Sequence, residues 1–97
     1  KDGTTLRDYI YIKDVAKINV KVLSNFNKLK NTIFNVGSGK SNTLIDVLKS
    51  TKTKKIKIKY LPRKSGDIEA IIADNSKINK QLKIKKYSTI KKIVSSL

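Results

Sequence analysis

An α/β piece made of short alternating strands and helices is the fold class this sequence predicts. Strings of aromatic and β-branched residues are bounded by turn formers, as strands are. Between them lie stretches whose apolar residues recur every three or four positions, as on a packed helix face. The two kinds alternate, which argues for crossover connections. The 97 residues form one unit, 1–97, with a single small core at most. No internal repeat, low-complexity linker or domain boundary divides it.

Asp8-Tyr9-Ile10-Tyr11-Ile12 reads as the first strand. Asp14 then has the chemistry of an N-cap, and Val15, Ile18, Val22 and Phe26 follow at helical spacing, widened by Ala16, Val20 and Leu23. Asn25-Phe26-Asn27 and the lysines beyond it end that helix. Thr32 to Val36 reads as a short buried strand running into Gly37-Ser38-Gly39. Thr43 and Asp46 have capping-box spacing, so a short helix is expected through about Lys49. Lys55 to Tyr60 alternates, with Ile56, Ile58 and Tyr60 on one face and lysines on the other, as in a half-buried strand. Pro62 to Asp67 is a loop, and Ile68 to Ala73 a short apolar run of strand character. Asp74 is placed to cap a helix ending at Leu82, and Thr89 one ending at Ser95.

Composition excludes several chemistries. With neither Cys nor His there is no disulfide, thiol nucleophile, serine–histidine relay or ordinary zinc site. No apolar run approaches the roughly eighteen residues of a membrane span, so no membrane partner is expected. Met is absent and Lys1 opens the chain, so the expectation is a piece of a longer protein, cytoplasmic by its lack of Cys. Against 7 acids stand 23 Lys and Arg, a formal charge of +16. Such an excess raises nucleic acid as a partner. Here the lysines are spread along the chain, Ile and Asn are over-used with them, and only Tyr60 and Tyr87 lie beside lysine-rich stretches, which weighs against a nucleic-acid interface.

Gly37-Ser38-Gly39-Lys40-Ser41 matches the second half of a phosphate-cradling loop. The first glycine of such a loop is missing, with Phe34 in its place, so a nucleotide triphosphatase is not indicated. Tyr9 to Lys13 and Tyr87 to Lys91 have the spacing of a tyrosine–lysine dyad. One falls on an expected strand and the other before a helix cap, so neither is a catalytic pair. Arg63-Lys64-Ser65-Gly66-Asp67 reads first as a solvated turn. Its cations nevertheless suit a diphosphate, its Gly admits close approach, and Asp67 can accept from paired ribose hydroxyls. Arg7 is the other arginine, and its planar fork clamps phosphate better than the flexible charge of Lys64.

Taken in order, five strings carry a resemblance: Asp2-Gly3-Thr4 through Arg7-Asp8-Tyr9-Ile10 to Asp14-Val15-Ala16; Phe34 to Gly39; Thr43-Leu44; Pro62 to Asp67; and Ala73 to Lys77 with Leu82. Together they resemble the C-terminal part of the extended short-chain dehydrogenases, the NAD-dependent epimerase/dehydratase family, most closely its UDP-glucose 4-epimerases. The resemblance implies a nucleotide-sugar-binding region whose Rossmann-type NAD domain lies outside these residues. It implies a UDP-sugar as substrate, NAD as the parent enzyme's cofactor with no site on this chain, and a parent homodimer formed through the absent domain. By resemblance Arg7 meets the diphosphate with Tyr9 nearby, Leu44 lines the uracil pocket, Lys64 stands where an arginine meets phosphate, and Asp67 holds the ribose hydroxyls.

The family's proton-transferring residues fall upstream, so no catalytic residue is expected here and the chain alone is expected to be inactive. Departures from the pattern include Lys64 in place of arginine, a shortened stretch between Leu48 and Pro62, and Lys83, Ile84 and Lys86 where Gly, Trp and Pro are usual. Lys91 and Lys92 sit in the first turn of the last helix, against its dipole. Readings outside the family are a basic module binding nucleic acid or another polyanion non-specifically, and a vestigial fragment.

Overall fold

Two residues, Leu6 and Arg7, organise the sheet. They form strand β1 (Leu6–Arg7), which pairs antiparallel with β2 (Asn42–Thr43), Leu6 opposite Thr43 and Arg7 opposite Asn42. On the other edge the chain runs parallel past β1. The Leu6 N–H donates to the Glu69 carbonyl at 2.8 Å, and the Ile71 N–H donates to the Leu6 carbonyl at 3.0 Å, around a bridge from Leu6 to Ala70. The computed structural model describes residues 3–51, 57–62 and 64–97.

The helices are α1 (Ile12–Ser24), α2 (Phe26–Leu29), α3 (Leu44–Ser50), α4 (Ser76–Leu82) and α5 (Ile90–Ser95). Ile18 of α1, Leu29 of α2, and Ile78 and Leu82 of α4 form the core, with Ile10, Val22, Phe34, Ile84 and Tyr87 packed around it. Among the described residues only Ile78, at 1% exposure, is sealed completely. Side-chain hydrogen bonds set the starts of α3 and α5. The Asp46 N–H donates to Thr43 Oγ1 at 3.0 Å, and the Thr43 N–H returns the bond to Asp46 Oδ2 at 2.9 Å, a complete capping box for α3. Thr89 caps α5 by accepting from the Lys92 N–H. Helix α3 packs on α5, beside the ribbon.

Several expectations are corrected. No strand forms over Asp8 to Ile12: the strand is Leu6–Arg7, just before it, and α1 starts at Ile12 with Tyr11 as its N-cap. Asp14 therefore lies inside the first turn of α1 and does not cap it. Its carboxylate accepts from the Ser88 N–H at 2.8 Å and the Ser88 hydroxyl at 3.3 Å, tying α1 to the approach to α5. Thr32–Val36 joins no sheet among the described residues, and Ile33 is 86% exposed. Ile58 and Tyr60, expected on a buried face, are exposed and also outside any sheet; Lys55 and Ile56 lie outside the described residues. Asp74 does not cap α4 directly. Asn75 takes that place, and Asp74 accepts from the hydroxyl and N–H of Ser76 at 2.6 and 3.1 Å.

The result is an open slab, 49 × 32 × 16 Å, with a radius of gyration of 16.2 Å. A compact chain of this length has about 13 Å. Ile12, Val20, Leu23 and Phe26 project from α1 and α2 into solvent, as do Ile33, Val36, Ile71 and Ile72 from the extended segments.

Candidate functional site

Between β1 and α1 the chain places a carboxylate where three segments meet. Asp8 accepts from the Ser38 hydroxyl at 2.6 Å and the Ser38 N–H at 2.9 Å through Oδ1. Through Oδ2 it accepts from the N–H groups of Gly39 at 3.0 Å and Ala73 at 3.1 Å. Burial pushes the Asp8 carboxyl up, but the hydroxyl and N–H of Ser38, then the N–H groups of Ala73 and Gly39, outweigh it and hold the group below its ordinary 3.8. The approach is close enough to require glycine. A Cβ on Gly37 would stand 2.4 Å from the Ala73 Cβ and 2.9 Å from Asp8 Oδ2. Asn75 completes the junction by donating from Nδ2 to the Gly37 carbonyl at 2.9 Å.

This geometry decides what the glycine-rich turn can do. The Ser38 and Gly39 amides, which a phosphate-binding loop directs at its ligand, are already given to a carboxylate. An anion there would face a negative charge. The turn therefore fits neither a triphosphate nor the pyrophosphate of a dinucleotide such as NAD. Its role is to join β1 to the segment before α4.

The residues expected to bind ligand lie on the ribbon and the loops that leave it. Arg7 is half-buried on β1, its Nη1 donating to the Leu6 carbonyl at 2.8 Å. β2 carries the chain directly into Leu44, the first residue of α3, which is 50% exposed. Pairing of Arg7 with Asn42 thus brings Arg7 and the start of α3 together. Lys64 and Asp67 are exposed at the two ends of one turn, closed by the Asp67 N–H donating to the Lys64 carbonyl at 3.2 Å, with Gly66 at a φ of +89°. That turn feeds the 69–71 segment on the free edge of β1. Tyr9, half-buried, follows Asp8 beyond the ribbon. Arg63 lies outside the described residues.

Sequence reasoning missed Asp8 as an organiser. The available signal was an acid directly after a strand, in a chain that also holds a Gly-x-Gly turn with amides to satisfy. It missed the Asp14–Ser88 link as well, for which the sequence holds no local sign. No helix among the described residues is long and apolar enough to cross a membrane, and no group of acidic side chains among them could hold a metal ion.

The signature of the NAD dependent epimerase/dehydratase family matches residues 1–37. UDP-arabinose 4-epimerase 1 of Arabidopsis thaliana is 40% identical over 84 residues, 84% of this chain and 20% of that protein. UDP-glucose 4-epimerase of Bifidobacterium longum is 38% identical over 98% of this chain and 29% of its own length. The backbone superimposes with a TM-score of 0.84 and 28% identity on a UDP-glucose-4-epimerase crystal structure from Stenotrophomonas maltophila, over 97% of this chain and 29% of the other. That structure holds NAD and formylated UDP-arabinopyranose. The Bifidobacterium longum enzyme, solved with NAD+ and UDP, gives 0.81 at 33% identity.

The chain resembles the NAD-dependent epimerase/dehydratase family. It spans between a fifth and a third of the length of the curated relatives it matches. The backbone shows what one departure from that family's pattern costs. Lys83, where the pattern has Gly, ends α4 in the left-handed region at φ 55° and ψ 41°, a conformation glycine adopts without cost.

Proposed function

We propose that this chain is the nucleotide-sugar-binding part of an NAD-dependent UDP-sugar 4-epimerase. The observation that carries the reading is the agreement of its backbone, over almost its whole length, with an epimerase crystallised with NAD and a UDP-pentose. In this reading Arg7 takes the diphosphate with its planar fork. Tyr9 stands near the sugar, and Leu44 offers an apolar wall to the uracil. Lys64 adds a positive charge to the phosphate side, and Asp67 accepts from the ribose hydroxyls. The ribbon supports this division of labour, since one short strand carries Arg7 between the start of α3 and the segment entered from the 64–67 turn.

The NAD domain of the parent enzyme is a separate stretch of chain in this reading. The open apolar faces support that. Ile33 and Val36, on an extended segment outside any sheet, and Ile71 and Ile72 beside β1 are side chains a second domain would cover. The 97 residues alone then isomerise no UDP-sugar, with or without added NAD.

Calorimetric titration of the full-length protein tests the reading. UDP binds more tightly than uridine or inorganic phosphate, and Arg7→Ala and Asp67→Ala each weaken UDP roughly tenfold or more, as loss of a charge-assisted contact does. Equal weak binding of UDP and phosphate, or no effect of either substitution, refutes it.

A further inference from the structure

Away from the ribbon, cations from separate parts of the chain face one depression. Lys17 of α1, Lys86 before α5, and Lys92 within α5 line an open groove at Tyr87, which continues past Tyr87 to Lys40 and Lys85. Among the described residues, two carboxylates bear on it against these five lysines: Asp14, engaged by the N–H and hydroxyl of Ser88, and Asp8, held behind the lining Ser38 and Gly39 by their N–H groups. Like charges gathered around a concave surface raise its potential and draw anions to it. No acid in the first turn of α5 offsets Lys92 there.

We propose that this groove binds a small linear oligophosphate. Lysine ammonium groups are compact point charges with rotatable donors, suited to phosphoryl oxygens presented in several directions. The cations stand on both sides of Tyr87, so an anion with several phosphoryl groups can engage both sets and a single phosphate cannot. A nucleic-acid strand fits less well. Strand tracking needs successive stacking platforms, and Tyr87, the one ring among the described lining residues, is fixed by its hydroxyl donating to Asn79 Oδ1 at 2.6 Å. The groove does not depend on the UDP-sugar reading, because it uses none of the residues assigned there.

The test titrates the full chain with inorganic triphosphate, inorganic phosphate and oligothymidylate, followed by amide chemical shifts. Triphosphate binds most tightly, and its shifts concentrate at residues 14–17, 40 and 85–92, while the Ser38 and Gly39 amides stay with Asp8. Replacing Lys17 and Lys86 together by Glu weakens triphosphate roughly tenfold, whereas Lys49→Glu with Lys80→Glu, which changes net charge equally, leaves it within about threefold. Equal losses in the two pairs, shifts spread over all the lysines, or tighter binding of oligothymidylate each overturn the proposal. Should the Glu pair fail to fold, the shift map on the unaltered chain decides between the same two outcomes.

Discussion

Asp8 and Ser38, thirty residues apart, share two hydrogen bonds through one carboxylate oxygen, at 2.6 Å from the Ser38 hydroxyl and 2.9 Å from its N–H. The other oxygen takes the amides of Gly39 and Ala73. One side chain thus ties the 37–39 turn, in no sheet among the described residues, to the end of the 69–73 segment that pairs with Leu6. Removing it leaves the buried Ser38 donors and the half-buried Ala73 amide without their acceptor, while the exposed Gly39 amide turns to water.

Asp8→Ala should therefore lower stability by about 2–3 kcal/mol, the usual scale for donors left without a charged acceptor. Asp8→Asn should lose less, since its amide oxygen still accepts from one side. Urea unfolding followed by far-UV circular dichroism checks both. A loss below half a kilocalorie would mean that Ser38 and Gly39 find other acceptors.

Stability should fall at both ends of the pH scale. The folded Asp8 carboxyl titrates below its ordinary 3.8, because the Ser38, Ala73 and Gly39 donors overcome the opposing effect of burial. Between the two values the unfolded chain holds more protons, so stability rises with pH there. Its contribution is complete above the ordinary value and disappears as pH falls through the folded one. Asp46, held down by the N–H and then the hydroxyl of Thr43, acts with the same sign. Tyr87 acts oppositely: burial, then the Asp14 and Asp8 charges, push its phenol above 10.0. Its contribution is complete below 10.0 and vanishes as pH climbs through the raised value. Melting temperatures measured across the acid and alkaline limbs should show both slopes, with the acid one smaller in Asp8→Asn.

The glycines separate two physical effects. Gly37→Ala forces a Cβ to 2.4 Å from that of Ala73. The backbone must shift there, at a cost of about 1–3 kcal/mol. Gly66→Ala meets nothing within 4 Å and suffers only from its φ of +89°, about 1–2 kcal/mol. Nuclear magnetic resonance should show shifts spreading to Asp8 and Ala73 in the first variant and confined to the 64–67 turn in the second.

Lys83→Gly should stabilise the chain by about 1 kcal/mol, since the α4 C-cap residue is left-handed at φ 55°. Amide exchange of α4 should slow. No change would mean that the greater freedom of Gly in the unfolded chain cancels the relief of strain.

What could be read from the sequence was what neighbours in the chain decide. Thr43 with Asp46 and Thr89 with Lys92 depend on side chains reaching backbone groups within one turn, and the end of α4 at Leu82 on the Lys83 N–H donating to the Asn79 carbonyl. Strands need a partner elsewhere. Thr32–Val36 has strand composition, yet no described segment pairs with it, so it remains extended and exposed. Asp14 has the chemistry of a cap, but Tyr11 takes that position and Asp14 reaches Ser88, seventy-four residues on. The candidate ligand residues were found by likeness to a known pattern. Where Arg7 and Leu44 stand relative to the chain entered from the 64–67 turn depends on pairings with residues 42–43 and 69–71 that no local spacing announces.

Lys77 reaches across to the extended segment, its ammonium donating to the Ile33 carbonyl at 3.0 Å and lying 5.2 Å from the centre of the Phe34 ring. A cation in that position guards an otherwise bare edge against pairing with another molecule, and the +16 charge keeps molecules apart at a distance. Salt weakens the long-range barrier first while leaving the greasy edge intact. Purified at high ionic strength, this polypeptide should cloud and sediment sooner than in dilute buffer, the reverse of what salting-in of a compact basic protein produces.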